Sequence, residues 1–264
     1  IFMATMGLDI GGAETHIVEL SKELKKRGYD VLVASNGGVY VDELTQAGIK
    51  HFDVPLNTRN IGKMLTSLRL LKKIIKEEHV DIVHSHARIP GFVTGILHRS
   101  MDFTFVTSAH WVFNTGNGLK YLTNWGQKVI AVSEDIKQYL MDNYNTKEKD
   151  IYVTINGIDT DKFSPEVSGE EIIEEFGLDA EHPIVSYVSR MDEDRALVAE
   201  QLIDSAADID KEIEGVQFLI AGGGNVFDKL KAKADAVNEQ LGRQCIVMTG
   251  ARTDINKIVA CGDI

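Results

Sequence analysis

Glycines that follow a β-strand and open a helix are the first residues of this chain whose spacing could serve chemistry. Gly11 and Gly12 lie between the apolar run Phe2–Thr5 and a long amphipathic segment. Backbone without a Cβ lets a ligand approach closely, and the free N–H groups of a helix start favour an anion. The spacing is not G-x-G-x-x-G, so the dinucleotide fingerprint is missing. The alternative is a tight turn that simply requires glycine.

A second cluster, Gly222-Gly223-Gly224, follows another apolar run and precedes another helical pattern. Three successive glycines carry a conformational-entropy cost, which favours a functional use over a purely structural one. Ligands gather at the carboxyl ends of strands in open α/β sheets. Two such turns facing one another across a cleft would form a binding site.

Three histidines fall near predicted strand ends. His84 and His86 alternate along a strand and would therefore point to the same face, and His110 follows the predicted strand Phe103–Ser108. A metal site could use this spacing with His110 as the third ligand. No paired carboxylates lie nearby, so we expect no metal site; the alternative for His110 is a hydrogen-bonded histidine at a strand end.

Two arginines, Arg190 and Arg195, follow the predicted strand Ile184–Ser189. A positioned guanidinium can hold phosphate oxygens with paired hydrogen bonds and offset the negative charge that builds on a leaving group. The alternative is a surface ion pair with one of the acidic residues at 192–194, and the sequence alone favours that pairing.

Composition excludes several classes of protein. Of 264 residues, 44% are hydrophobic and 26% charged, a globular balance that excludes a disordered or collagen-like polymer. The formal charge of −12 argues against nucleic-acid binding. Cys245 and Cys261 are too few for a disulfide framework, which fits a reducing cytosol. We expect no membrane span and no signal peptide, and hence a cytoplasmic protein.

Short apolar runs alternate with helical patterns throughout, which predicts an α/β fold with parallel sheets. We place an N-terminal domain at residues 1–165, a polar linker at 166–183, and a second domain at 184–264 that stops as another strand begins. The predicted strands are Phe2–Thr5, Asp30–Ala34, His51–Val54, Asp81–His84, Phe103–Ser108, Val129–Val132, Ile151–Ile155, Ile184–Ser189, Val216–Ala221 and Cys245–Thr249. With three or four strands, the second domain is expected to be incomplete.

Several short motifs occur in a shared order along nearly the whole chain. They are Gly11–His16, Asp81–His86, Thr107–His110, Ala131–Ser133, Ile155–Asp159, Ser189–Arg195 and Ala221–Gly224. In this combination the chain resembles a glycosyltransferase of family 4, whose GT-B fold has two Rossmann-like domains.

The resemblance implies a retaining hexosyltransferase that moves a sugar from a nucleotide diphosphate donor to a hydroxyl acceptor, in bacterial cell-surface polysaccharide or glycolipid synthesis. It implies no cofactor and no required metal. The implied catalytic residues are His110, Arg190 and Arg195. The implied donor and phosphate contacts are Gly11, Gly12, Gly223, Gly224 and Arg252, with a solvated Arg252 as the alternative. The implied acceptor and cleft residues are Glu14, His16, His86, Asn156 and Gly157, the last two being an ordinary turn in the alternative interpretation.

Two departures from the family pattern leave other functions open. Arg195 stands where the family usually has lysine, which keeps the charge but changes the contact. The family's E-x7-E motif would lie beyond Ile264. The alternatives are a nucleotide-sugar 2-epimerase on the same fold, or a piece that folds without turnover.

One segment contradicts the acidic average. Residues Asn57–Lys76 carry six basic side chains and no acidic one, with apolar residues at helical spacing. A basic amphipathic helix can lie on an anionic membrane, which would make the protein peripheral at the inner face. The alternative, which the pattern favours, is a helix that covers the sheet and has a basic outer face.

Overall fold

Two parallel β-sheets organise the computed structural model, which describes residues 1–116 and 118–264. The seven-stranded sheet belongs to a first compact unit, residues 1–158, and the three-stranded sheet to a second, residues 159–264. The α/β class with two parallel-sheet domains is confirmed, the second sheet being small as expected. The boundaries at 165 and 183 stay predictions; within 166–183, Ile172 is buried in the core of the second unit.

The elements of the first unit follow the predicted alternation closely. They are β1 (Phe2–Ala4), α1 (Gly12–Lys26), β2 (Leu32–Ser35), α2 (Val41–Gln46), β3 (Lys50–Asp53), α3 (Ile61–Glu77), β4 (Ile82–Ser85), α4 (Arg88–His98), β5 (Thr104–Ala109), β6 (Lys128–Ala131), α5 (Glu134–Tyr144) and β7 (Ile151–Val153). Short 3-10 segments cover Leu119–Leu122 and Glu148–Asp150.

Apolar side chains on both faces of the first sheet explain its burial. In β1, Phe2 and Ala4 pack with α3 and α4, whereas Met3 between them packs with α1 and α2. Successive residues of a strand point to opposite faces, so one short apolar strand anchors both helical layers.

The strand order of the first sheet is β3-β2-β1-β4-β5-β6-β7. β1 pairs with β2 on one side and with β4 on the other, so the order reverses between β1 and β4. In doubly wound sheets this reversal opens a crevice at the carboxyl ends of the strands, where ligands bind. Residues just after β1, β4 and β5 are therefore the first place to look for a site.

The second unit repeats the alternation on a smaller scale. Its elements are α6 (Glu170–Phe176), β8 (Ile184–Val188), α7 (Leu197–Glu212), β9 (Gln217–Ala221), α8 (Phe227–Leu241), β10 (Ile246–Gly250) and α9 (Ile255–Ala260). The strand order is β10-β9-β8. On the edge of β8 opposite β9, Ser186 N–H donates to the Ile264 carbonyl at 2.8 Å, so the last residues lie alongside this strand.

Polar side chains cap two helices of the first unit. Ser133 Oγ accepts the Ile136 N–H at 3.2 Å at the start of α5, and Asn60 Oδ1 accepts the Lys63 N–H at 3.1 Å at the start of α3. A capping acceptor satisfies one of the orphan donors of a first helical turn. No helix in residues 1–116 and 118–264 has the length and apolar character that a bilayer span requires.

Candidate active site

Four histidine rings gather at the carboxyl ends of β4 and β5. His84 ends β4, His86 follows it, His110 follows β5, and His16 comes from the second turn of α1. The ring centroids of His84 and His86 are 4.0 Å apart, which confirms that the two share a face. The His86 and His110 rings stack at 5.5 Å, and His16 meets His110 edge-on at 5.1 Å. The reversal in strand order brings these residues together.

Hydrogen bonds divide this histidine cluster into two parts. His84 Nε2 bonds to Ser108 Oγ at 2.8 Å in the buried layer, and His86 Nδ1 faces His110 Nε2 at 3.2 Å. The ring nitrogens of His16, His86 and His110 converge within 4.8 Å of one another. His84, which the sequence offered beside His86 and His110 in the alternative metal-site interpretation, is not part of this converging group, because its ring is bonded to Ser108.

Burial keeps the cluster uncharged at neutral pH. Desolvation, with a smaller effect from the neighbouring histidines, lowers the pKa of His84 to about 3 and that of His110 to about 4. The same causes bring the pKa of His86 well below its ordinary value, and burial lowers the pKa of His16. A neutral imidazole offers one N–H donor and one lone pair, so the cluster can contact hydroxyl groups without adding positive charge.

The glycine turn after β1 lies beside these rings because His16 is on the same helix. Gly11 precedes α1 with φ 176°, an extended conformation that any residue adopts, and its carbonyl accepts the Thr15 N–H at 2.9 Å. The Glu14 carboxylate folds over Gly11 and would overlap a Cβ built there. At Gly12 such a Cβ would meet open space. Neither backbone conformation nor packing requires glycine at position 12.

The second glycine cluster has a structural reason that its sequence did not reveal. Gly222 has φ 143° and Gly224 has φ 159°; a Cβ on the first would overlap the Ser189 carbonyl, and one on the second would overlap the backbone of Met191. A Cβ on Gly223 would lie 3.1 Å from that of Ala251. The loop after β9 therefore needs glycine to pack against the loop after β8. Phosphate contacts of Gly223 and Gly224 stay predictions.

Both candidate arginines of the second unit form the ion pairs expected as the alternative. Arg190 pairs with Asp192 at 2.5 Å and Arg195 with Asp194 at 3.7 Å, and both arginine side chains are 40% or more exposed. The Asn225 N–H donates to Asp192 Oδ1 at 3.3 Å, which joins the Arg190 loop to the glycine loop. Exposed pairs of this kind are worth little, so they compete weakly with a phosphate.

Arg252 is held by its own unit. Its guanidinium lies 2.8 Å from Glu175 and 2.6 Å from Asp254, and it lies over the Phe176 ring at 5.3 Å. These carboxylates raise the pKa of Arg252 above its ordinary range. The solvated Arg252 offered as an alternative is wrong, since its side chain is 19% exposed. A donor contact by Arg252 stays a prediction.

Asn156 and Gly157 lie in the exposed segment after β7, just before the first unit ends at residue 158. β7 is the edge strand and lies two strands from β5, so this pair is placed apart from the histidine cluster within the sheet. Their role as cleft residues stays a prediction.

Sequence reasoning missed the residues that support these side chains. The sequence placed Ser108 in a strand and did not identify it as the partner of His84. It placed Glu175 in the linker and did not identify it as the partner of Arg252. The available signal for Ser108 was polarity: Thr107 and Ser108 are buried polar residues that follow the apolar Phe105 and Val106 near the end of β5. Buried polar side chains are hydrogen-bonded, so their presence indicates a partner.

Comparisons with known proteins identify the family to which the chain is similar. A family model described as Glycosyltransferase Family 4 matches residues 10–162, more than half of the chain. The chain is 28% identical over 202 residues to alpha-maltose-1-phosphate synthase of Mycolicibacterium smegmatis, covering 69% of this chain and 50% of that protein. It is 24% identical to the UDP-Gal:alpha-D-GlcNAc-diphosphoundecaprenol alpha-1,3-galactosyltransferase of Escherichia coli, covering 91% of this chain and 66% of the relative.

Among solved structures, a glycosyltransferase from Rickettsia africae superposes with a TM-score of 0.80 at 26% identity, covering 99% of this chain and 71% of that one. The chain therefore spans between half and three quarters of the length of these three similar proteins.

Proposed function

Since the chain belongs to glycosyltransferase family 4 and has the GT-B architecture of two parallel-sheet units, we propose that the protein is a retaining glycosyltransferase. It transfers a sugar from a nucleotide diphosphate donor to a hydroxyl group of a glycan or glycolipid. The observation that carries this proposal is the family match over residues 10–162, which includes the strand ends bearing His16, His86 and His110.

In this proposal the two units divide the substrates. The first unit receives the acceptor next to Glu14, His16 and His86, and Gly11 and Gly12 approach the donor phosphates. The second unit binds the donor nucleotide through the loops that follow β8, β9 and β10. The name of the Escherichia coli relative, with a UDP-linked donor and a lipid-diphosphate acceptor, supports a lipid-linked or polysaccharide product.

The proposed reaction breaks the bond between the anomeric carbon and the diphosphate while the acceptor oxygen attacks the same face. The departing phosphate oxygen takes the acceptor proton, so no carboxylate base and no metal is required. Arg190 and Arg195 offset the charge that collects on the diphosphate. His110 contacts the sugar as a neutral ring, because burial lowers its pKa to about 4. A charged ring there would oppose the positive charge that develops on the sugar.

The direct test uses the full-length protein with uridine, guanosine and adenosine diphosphate sugars and a lipid-linked acceptor. We expect one donor to be consumed, with the product keeping the anomeric configuration of the donor, measured by NMR. An inverted product contradicts the mechanism. An epimerised donor formed without acceptor supports the epimerase instead, and turnover by full-length protein but not by the 264-residue chain identifies the chain as the inactive piece.

We also propose that the basic face of α3 holds the protein against anionic lipid at the cytoplasmic face of the membrane. The apolar face of α3 is already occupied, because Leu71, Ile74 and Ile75 are buried in the core. The exposed side carries basic residues with only Ile61 and Leu65 as large apolar side chains. Any such contact is therefore electrostatic, worth about 1 kcal/mol for each lysine near the surface.

Vesicle co-sedimentation tests this contact. Binding is expected to require anionic lipid, to fall as salt rises, and to weaken when Lys72 and Lys76 are replaced by glutamine. Replacing Lys25 and Lys26 at the end of α1 by glutamine is the matched control and leaves binding unchanged. Equal binding to neutral and anionic vesicles would contradict the proposal.

A further inference from the structure

The ring nitrogens of His16, His86 and His110 point toward one another, and the proposed sugar transfer does not require this convergence. All three offer a ring nitrogen within 4.8 Å of the others, and the His86 Nδ1 to His110 Nε2 distance is 3.2 Å. Two nitrogens bound to one tetrahedral zinc ion at about 2.0–2.1 Å lie about 3.3 Å apart. The closest pair of the trio is thus already at the separation that a shared metal ion imposes.

We propose that His16, His86 and His110 bind a divalent transition-metal ion of the zinc class through three imidazole nitrogens. Three protein ligands with one open position is a common arrangement for zinc in proteins. Imidazole suits zinc, copper and nickel, whereas magnesium and calcium take oxygen ligands. The site is therefore selective for transition metals.

The three ligands come from three different elements, which makes the site a property of the fold. His16 is on α1, His86 follows β4 and His110 follows β5, and β1, β4 and β5 are consecutive in the sheet. His86 is buried at 5% exposure, while His16 and His110 are partly exposed, so an ion reaches the trio from the solvent side.

The outer nitrogens indicate how tightly the ion is held. Within the described part of the chain, the buried atoms His86 Nε2 and His110 Nδ1 have no hydrogen-bonding partner. Structural zinc sites usually hold the second nitrogen of each histidine with a carboxylate or carbonyl, and losing such support weakens binding. Binding in the micromolar range is therefore expected, which suits a reversible ion better than a permanent one.

This site goes beyond the proposed function, in which transfer needs no metal. A bound ion would occupy the same nitrogens that contact the sugar, so zinc is expected to inhibit transfer and a chelator to restore it. That consequence rests on the proposed function, but the binding itself does not.

The experiment titrates the metal-free 264-residue chain with Zn²⁺ by calorimetry, with Mg²⁺ as the ligand-type control, and records the visible spectrum with Co²⁺. We expect one equivalent of Zn²⁺ to bind, no detectable Mg²⁺ binding, and a tetrahedral Co²⁺ spectrum. His16→Gln and His110→Gln, both at partly exposed positions, should each weaken Zn²⁺ binding about tenfold or more. His182→Gln, in the second unit, is the matched control and should bind as the wild type does.

Circular dichroism of each variant shows whether it is folded, so a loss of binding is not mistaken for unfolding. Zn²⁺ affinity that is unchanged in the folded His16→Gln and His110→Gln double variant would overturn the site, as would the absence of Zn²⁺ binding to the wild type. A chain that binds Zn²⁺ while the full-length protein transfers no sugar would leave the site standing and remove only the proposed function.

Discussion

The strand ends of the first unit and those of the second unit differ in the burial and charge of their polar side chains. After β4 and β5 the chain buries uncharged imidazoles whose outer nitrogens lack partners in the described residues. After β8 the second unit exposes permanently charged arginines that are paired with neighbouring carboxylates. Burial determines the charge state of the histidines in the first region, whereas the arginines of the second region carry a permanent charge.

The difference shows which kind of change each region tolerates. A buried histidine stays uncharged at low pH only while its surroundings exclude water, because desolvation lowers its pKa. An exposed arginine stays charged in any environment, so its position is the variable that matters. In the second unit that position depends on glycine, since the loop after β9 packs on the loop that carries Arg190.

The largest expected effect is a loss of stability in the second unit. Gly222→Ala should lower the free energy of unfolding by about 4 kcal/mol, because an alanine at φ 143° is strained and its Cβ overlaps the Ser189 carbonyl. Gly242→Ala, at φ 66° with open space, is the control and should cost about 1 kcal/mol. Urea unfolding followed by circular dichroism measures both, and equal losses would show that packing of Gly222 against the loop after β8 is unimportant.

The next effect concerns turnover. Arg190→Ala or Arg195→Ala in the full-length protein should raise the barrier of the transfer step by about 2 to 4 kcal/mol, because the leaving diphosphate loses a positive partner. Arg27→Ala, which removes an exposed arginine paired with Glu23 in the first unit, should leave kcat unchanged. Steady-state kinetics at a saturating acceptor concentration give kcat and kcat/KM for each variant and for the wild type. Wild-type kcat/KM in both Arg190 and Arg195 variants would refute their role and leave them as surface ion pairs.

The third effect is a dependence of stability on pH that belongs to the first unit. The folded-state pKa values of His84 and His110 are lowered to about 3 and about 4, below the ordinary value of 6.5. As pH falls below 6.5, histidines of the unfolded chain bind protons while the buried rings of the folded protein stay neutral, so the free energy of unfolding decreases. The contribution of His110 to this decrease ends at about pH 4 and that of His84 at about pH 3. Each such ring contributes at most about 1.4 kcal/mol per pH unit in that window.

His110→Gln should reduce the slope of the free energy of unfolding against pH by up to the equivalent of one bound proton, about 1.4 kcal/mol per pH unit. Arg190→Gln in the second unit should leave this slope unchanged. Urea unfolding between about pH 7 and about pH 5 measures the slope. A slope that His110→Gln does not change would mean that the ring titrates normally in the folded protein.

Much of the fold was determined locally and could be predicted. Short apolar runs predicted the ten strands of the described residues to within two residues at each end. Such patterns suffice because a parallel strand is buried on both faces and so reads as an unbroken apolar run. The chemistry of the glycine turn and of the strand-end histidines could likewise be proposed from residue type and position.

What only the tertiary structure decided was which side chains meet. Spacing allowed His84 to be considered with His86 and His110 only as an alternative. The strand order reverses between β1 and β4 and brings His16 to the cluster, while Ser108 bonds to His84. The three glycines after β9 suggested a ligand, yet two of them are required by packing. Local sequence determines secondary-structure propensity and the periodicity of apolar residues, whereas these contacts join side chains from separate helices, strands and loops. Burial, pKa and packing at each position therefore depend on contacts that exist only once the sheets have formed.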